Sequence, residues 1–494
     1  MYNMRFLLPL LLILHVISYS IAWRNFMRGR SRNGNLGEPV LSLKNYNLPE
    51  EQWFTQIFDP FNPTDMRVWK QRYFVNSDYY KPNGPVFLMI GTEKIKPKWM
   101  VEGLWIDYAK ELGAMCFYVE HRYYGKSHPT VDLSTDNLTF LSSEIALQDF
   151  AYFIRNINIE YKFPNDTKWI VFGGSYGGSL AAWMRLKYPH FVHGAVSASG
   201  PLLALVDFQE YYVVVANALK QHSQQCVDAV ANANTEFHTM LHHLTGQEQI
   251  AEKFRLCDPI DPGHTADISN LYQSLANNFA YIVQNNKNNR QESKTANINV
   301  DTICDVLTND ELGRPVDRLA YMNSMILNAT KEKCLDYKYD NMIHSLRSIN
   351  WNEQVEGERQ WMYQTCSEVG FFQTSTARPE LFSETFPVDF YVQQCIDIFG
   401  PSYNLDMLKS VVTRTNTLYG ALNQKVSNVV HVHGSLDPWH TLGITKSSNH
   451  PQVAIYINDT AHCAILYPSS EEDPPQLKQA RTVVKGLIKQ WLDN

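Results

Sequence analysis

The chain has 494 residues, a formal net charge of −7, 44% hydrophobic and 19% charged residues. That length suits a large enzyme fold with an inserted or second domain. The acidic balance argues against nucleic acid as a partner. Met1 to Ala22 reads as a secretory signal peptide: Arg5 is its positive charge, Phe6 to Ile17 its apolar stretch, and Ser20-Ile21-Ala22 a small-x-small cleavage site. The apolar core is short for a spanning helix, and no later stretch approaches transmembrane length. The expectation is a protein with no membrane association after signal cleavage, in the secretory pathway, secreted or lysosomal. Residues 23–45 carry Arg24, Arg28, Arg30 and Arg32 among several Gly and Asn, which predicts a disordered or trimmed basic segment.

From Trp53 to Phe74, alternating aromatic and polar residues predict strands. Pro85 to Gly91 is a buried strand ending in glycine, and Val101 to Leu112 has helical spacing. The strand Met115 to Glu120 leads into Glu120-His-Arg-Tyr-Tyr-Gly-Lys-Ser127, whose aromatics predict packing beneath a site rather than a surface loop. Ser142 to Tyr161 is an amphipathic helix. An apolar strand, Trp169 to Phe172, then enters Gly173-Gly-Ser175-Tyr-Gly177, and helical character resumes from Leu180. His193 to Ser199 is a further strand, so the rhythm predicts an α/β sheet with helices on both faces. From 205 to 386 the chain is rich in Gln, Asn and Leu with helical periodicity, read as a helical cap between a first sheet part, 46–204, and a second, 387–494. In that second part, strands 428–433 and 453–457 are followed by a terminal helix from Pro475 to Trp491.

Gly173 to Gly177 fits the G-x-S-x-G nucleophile elbow. Such an elbow holds serine on a strained strand-to-helix turn and leaves the next backbone N–H, that of Tyr176, free for an oxyanion. The loop after the strand ending at Gly91, with Thr92 beside it, would supply the second donor. Asp437 and His462 each follow a late strand, completing the order Ser, Asp, His. A serine hydroxyl is a poor nucleophile, so His462 would take its proton, and Asp437 would hold the imidazole tautomer. His121 breaks that order, His431 and His433 lie on a buried strand, and His440 is too close to Asp437 in sequence; these read as structural histidines.

Six of the eight cysteines, Cys226, Cys257, Cys304, Cys334, Cys366 and Cys395, fall in one stretch and predict disulfides, with 15 pairings open. Cys116 reads as a buried thiol, and no Cys/His spacing suggests a metal. Asn137, Asn165, Asn328 and Asn458 head glycosylation sequons.

The motifs at 173–178, 120–127, 434–439 and 461–463, with Arg359-Gln-Trp-Met-Tyr-Gln-Thr-Cys-Ser-Glu-Val-Gly-Phe-Phe-Gln373, resemble the prolyl-peptidase family of serine carboxypeptidases. Its members include lysosomal Pro-Xaa carboxypeptidase, dipeptidyl peptidase II and thymus-specific serine protease. The resemblance covers Pro39 to the C-terminus and implies an α/β-hydrolase fold with a helical, disulfide-bonded cap and no cofactor. It implies Ser175, Asp437 and His462 as the triad, Tyr176 as an oxyanion donor, and cleavage of short peptides beside proline. Trp361, Met362 and Trp439 would line the proline pocket, with Glu93 also facing substrate. The family further suggests bridges Cys226–Cys304, Cys257–Cys334 and Cys366–Cys395, and a homodimer is allowed. One departure is Lys94, where the family usually carries glycine; a glycine needed there for positive φ would mean a reshaped loop. Two other readings stay open: a lipase or esterase on the same fold, and a catalytically silent binding protein.

Overall fold

A computed structural model describes residues 26–31, 34–41, 46–288, 290, 297–351, 357–377, 381–382, 384–447 and 452–493. The signal peptide expected at 1–22 lies outside these residues, as do Arg24 and Arg32. In chain order the strands are β1 (Phe26–Met27), β2 (Arg30–Ser31), β3 (Gln52–Ile57), β4 (Val68–Asn76), β5 (Val86–Gly91), β6 (Met115–Glu120), β7 (Trp169–Gly174), β8 (Val192–Ala198), β9 (Leu205–Asp207), β10 (Gly370–Phe372), β11 (Val429–Gly434) and β12 (Val453–Ile457).

Eight of them form one sheet in the order β12-β11-β8-β7-β5-β6-β4-β3. The run from β12 to β6 is parallel, and β4 and β3 are antiparallel additions. Parallel strands need crossover helices, which cover both faces of the sheet. Alternate residues of β7 show this division. Trp169 and Val171 join the core under the helices Ser143–Glu160 and Tyr176–Lys187. Ile170 and Phe172 join the core under Leu104–Leu112 and Pro475–Asp493. Swapped order at β5 and β6, with β7 following β5, is the topology of the α/β-hydrolase fold.

Between β8 and β11 the chain is largely helical, with Glu210–His222, Gln224–Leu241, Thr265–Gln284, Pro315–Ala329 and Leu405–Tyr419 its longer helices. The short parallel ladder of β9 on β10, Leu205 opposite Gly370, draws the two ends of this stretch together. Disulfides join Cys226 to Cys304, Cys257 to Cys334 and Cys366 to Cys395. Cys116 and Cys463 are buried free thiols.

The disorder expected for the basic N-terminal segment is not what its described residues display. Phe26 to Ser31 is a two-residue hairpin whose central pair, Arg28 (φ 48°) and Gly29 (φ 66°), both take positive φ. Two-residue hairpin loops of the mirror-image type demand that combination, and glycine supplies it without strain. Both strands of this hairpin are buried, as are residues 34–37. Composition alone gives the segment no core to fold around; the cleft between sheet and helices provides one.

Candidate active site

Ser175 sits between β7 and the helix Tyr176–Lys187 with φ 58° and ψ −132°. This left-handed backbone in a non-glycine residue is the strained turn of a nucleophile elbow. Its N–H is held by the Ala198 carbonyl at 2.9 Å. The flanking glycines are needed for close approach: a Cβ on Gly173 would overlap the Gly177 carbonyl. The Tyr176 N–H lies in the helix's first turn, where backbone donors have no intrahelical acceptor. Gly177 faces the Ile90 carbonyl and Thr92, so the turn after β5 borders the elbow. Lys94 is not among the residues with left-handed backbone, so the loop 91–94 needs no glycine there.

Asp437 follows β11 and accepts the Trp439 N–H at 3.1 Å. Its Oδ1 also meets His462 Nδ1 at 2.8 Å, with both side chains fully buried. Burial opposes charge on both groups, but their mutual attraction prevails, raising His462 and lowering Asp437 from their ordinary pKa values. His462 Nε2 has no hydrogen-bond partner among the described residues. Ser199 at the end of β8 binds the Cys463 N–H at 2.8 Å, fixing the loop that carries His462.

Of the other histidines around the site, His121, His431 and His440 have structural partners, whereas both ring nitrogens of His433 have none among the described residues. His121 Nδ1 meets the Arg122 carbonyl and Nε2 the Tyr176 hydroxyl, and burial pushes it down to about 3. His431 pairs with Gln452, and burial lowers it to about 4. Burial likewise lowers His433 to about 3. His440 Nδ1 meets the backbone carbonyl of Asp437 at 2.7 Å, and its Nε2 lies 3.5 Å from the Tyr456 hydroxyl.

The 120–127 motif packs beneath the elbow. Arg122 binds both oxygens of buried Asp149, at 2.6 and 2.8 Å. Glu120 pairs with Arg72 and accepts from Ser127. Tyr176 OH is ringed by His121, Ser143 and Gln364, and Ser143 also contacts Glu368. Burial raises Glu368 to about 7, against the pull of its Ser143 and Gln364 donors.

Trp361, Met362 and Trp439 are all buried. Trp361 lies 6.1 Å from Tyr176 and 6.4 Å from Phe371 between ring centroids. Trp439 lies 5.3 Å from Phe371 and 6.5 Å from His462. Gln284, at the end of the helix Thr265–Gln284, accepts from Trp439 and Tyr211, and its carbonyl accepts the His462 N–H. No sequence motif marks Gln284; its part emerges only when the distant helix is brought over the sheet. Glu93 is buried, and burial raises its pKa against opposing Lys96 and Arg30 charges.

The cleft is occupied by the N-terminal segment. Asn35 Nδ2 donates to Ser175 Oγ and to the Gly29 carbonyl, each at 3.1 Å. Trp361 Nε1 donates to the Arg28 carbonyl at 3.0 Å, and Gly29 packs on the Trp439 ring. Leu36 N–H faces Glu93 at 3.5 Å. Ser175, Trp361, Trp439 and Glu93 thus each have a described contact with this segment, and Met362 has none.

Among the sequon asparagines, Asn165, Asn328 and Asn458 are exposed; Asn137 is half-buried and its amide nitrogen binds Asp132. No group of three or more His, Cys, Asp and Glu residues suited to a metal occurs among the described residues. No helix among them is long and apolar enough to cross a membrane.

Comparison with known proteins agrees with this geometry. The family described as Serine carboxypeptidase S28 matches residues 56–484. Mouse (Mus musculus) thymus-specific serine protease is 32% identical, over 90% of this chain and 88% of its own. Human (Homo sapiens) lysosomal Pro-X carboxypeptidase is 29% identical, over 91% of this chain and 89% of its own. With its elbow, its late carboxylate–histidine pair and a match over most of its length, the chain belongs to the S28 serine carboxypeptidase family of peptidases.

Proposed function

We propose that the protein is a serine exopeptidase that cleaves short peptides next to proline, with Ser175, Asp437 and His462 as its triad. The observations that carry the reading are the 2.8 Å bond from His462 Nδ1 to Asp437 Oδ1, with Nε2 lacking a partner among the described residues, and an elbow serine at φ 58°. His462 Nε2 takes the Ser175 proton as Oγ attacks the scissile carbonyl, then returns it to the departing amine. The Tyr176 N–H and the Gly91–Thr92 turn receive the oxyanion. Water then attacks the acyl-enzyme by the same route and restores Ser175.

Proline offers no N–H, so it must be selected by shape and ring contact. Trp361 against Tyr176 and Trp439 against His462 supply apolar surface for this, with Met362 the third residue of the pocket in this reading. A peptide ligand is favoured over a lipid because backbone carbonyls in the cleft already find donors, Trp361 for Arg28 and Gln284 for Gly29. The helical stretch 205–386 acts as the cap over the cleft. Relatives named as lysosomal, together with the signal peptide and exposed sequons, support a secretory, glycosylated, lysosomal or extracellular protein.

The test is labelling of the secreted protein with a fluorophosphonate through a prolonged incubation, beside Ser175→Ala. Label on the wild type and none on the variant is expected. Proline peptides blocked at one end or the other then identify the terminus that is read. Label that persists in Ser175→Ala would remove Ser175 as the nucleophile.

A further inference from the structure

The hairpin and the residues behind it fill the cleft in a manner a merely packed terminus would not require. Arg28 reaches past Trp361 into a pocket of the helical region. There its guanidinium lies 4.6 Å from the Phe372 ring centre and 5.4 Å from that of Tyr391. It donates to Gln394 at 3.0 Å, to the Tyr391 carbonyl at 3.2 Å and to Thr365. At the other end, Leu36 and Gly37 are tied to the sheet side by Tyr467, at 2.7 Å to the Leu36 carbonyl, and Trp99, at 3.1 Å to that of Gly37. Arg290 donates to the Asn35 carbonyl. Between these anchors Asn35 is placed on the nucleophile: Ser31 N–H holds its Oδ1, and its Nδ2 holds Ser175 Oγ. Ser175 is 8% exposed as a result.

We propose that the described residues 26–31 and 34–41 form an autoinhibitory plug, and that this chain is held as an inactive precursor until the segment is withdrawn or cut away. The proposal rests on the reading of Ser175 as nucleophile. A substrate carbonyl must stand where the Asn35 amide stands, and its neighbouring ring must stand where Gly29 meets Trp439. Plug and substrate therefore exclude each other. The Ser175 hydroxyl is also engaged as an acceptor by Asn35 instead of being presented to a carbonyl. None of the residues proposed as nucleophile, base or oxyanion donor lies in the segment, so its removal leaves them in place.

Two glycines make the plug separable from the site. Gly34 has φ 91°, and a Cβ there would overlap the Glu93 carboxylate. Gly29 has φ 66°, and a Cβ there would overlap the Trp439 ring. Gly34→Val and Gly29→Val therefore push the segment out while leaving every cleft residue unchanged. Each full-length secreted variant is compared with wild type in its rate of labelling by a fluorophosphonate. Both variants are expected to label at least about tenfold faster, because the observed rate scales with the fraction of molecules whose cleft is open. A synthetic peptide of residues 26–41 should slow the labelling of the variants, and the same peptide carrying Gly34→Val should not. If thermal melting shows both variants misfolded, wild type nicked by limited trypsin digestion takes their place.

Equal labelling of wild type and opened protein, unslowed by the peptide, overturns the plug and leaves the Ser175 reading standing. Failure of every form to label overturns the Ser175 reading and the inhibitory role with it.

Discussion

His462 Nδ1 lies 2.8 Å from Asp437 Oδ1, and both side chains are fully buried. The bond commits Nδ1 to the carboxylate, and Nε2 has no hydrogen-bond partner among the described residues. Asp437→Asn preserves the shape but removes the charge and favours the wrong tautomer, which should lower kcat/KM by roughly 10⁴-fold with little change in melting temperature. The measurement is hydrolysis of a proline-containing peptide by the Gly34→Val protein with and without the second change.

The same pair should set the acid limb of activity if His462 is the base proposed above. His462 must be neutral to accept a proton, and the Asp437 carboxylate raises its pKa against the effect of burial. Activity should rise with pH as His462 deprotonates. In Asp437→Asn the residual activity should reach its plateau at a lower pH than in the parent. A limb that stays in place would show that another group titrates.

Glu368 should make the fold prefer acid. Burial raises its pKa to about 7 in the folded protein, from an ordinary value near 4.5. Between those values the folded state keeps a proton that the unfolded state has released. Stability from this group is therefore greatest below about pH 4.5 and falls as pH rises towards 7, by up to about 3 kcal/mol. Glu368→Gln should flatten that slope, seen as a smaller difference in melting temperature between pH 5 and pH 7.

Arg122 and Asp149 are bound twice beneath the elbow with almost no exposure. Removing one partner strands the other in a dry site, so Asp149→Ala should cost about 3–5 kcal/mol. The double change Arg122→Ala with Asp149→Ala should lose less than the sum of the single ones. Chemical denaturation of the four proteins checks both statements.

The sheet and the site were legible in the sequence to different depths. Buried strands such as 169–172 announce themselves by continuous apolar runs, and the Ser175 elbow by glycines with a steric task. The Asp437–His462 bond follows once both residues end neighbouring parallel strands, as β11 and β12 do. The N-terminal hairpin was not legible. Its residues look like a solvated basic stretch, and the partners that bury Arg28, at Thr365, Tyr391 and Gln394, stand more than 330 positions away. Gln284 was missed for the same reason: its contacts to Trp439 and His462 join separate parts of the chain.

The pocket that holds Arg28 has a consequence for how the segment can be let go. Its described acceptors are a threonine hydroxyl, an amide oxygen, a backbone carbonyl and the sulfurs of the Cys366–Cys395 bridge, with two aromatic faces and no carboxylate. Burial accordingly lowers the arginine's pKa to about 9. A grip of this kind has no ion pair for dissolved salt to screen, so changes in ionic strength should leave it untouched. The guanidinium meanwhile forgoes hydration that no opposite charge replaces. Arg28 is thus a residue with much to regain from water, and the rest of the segment must hold it in place.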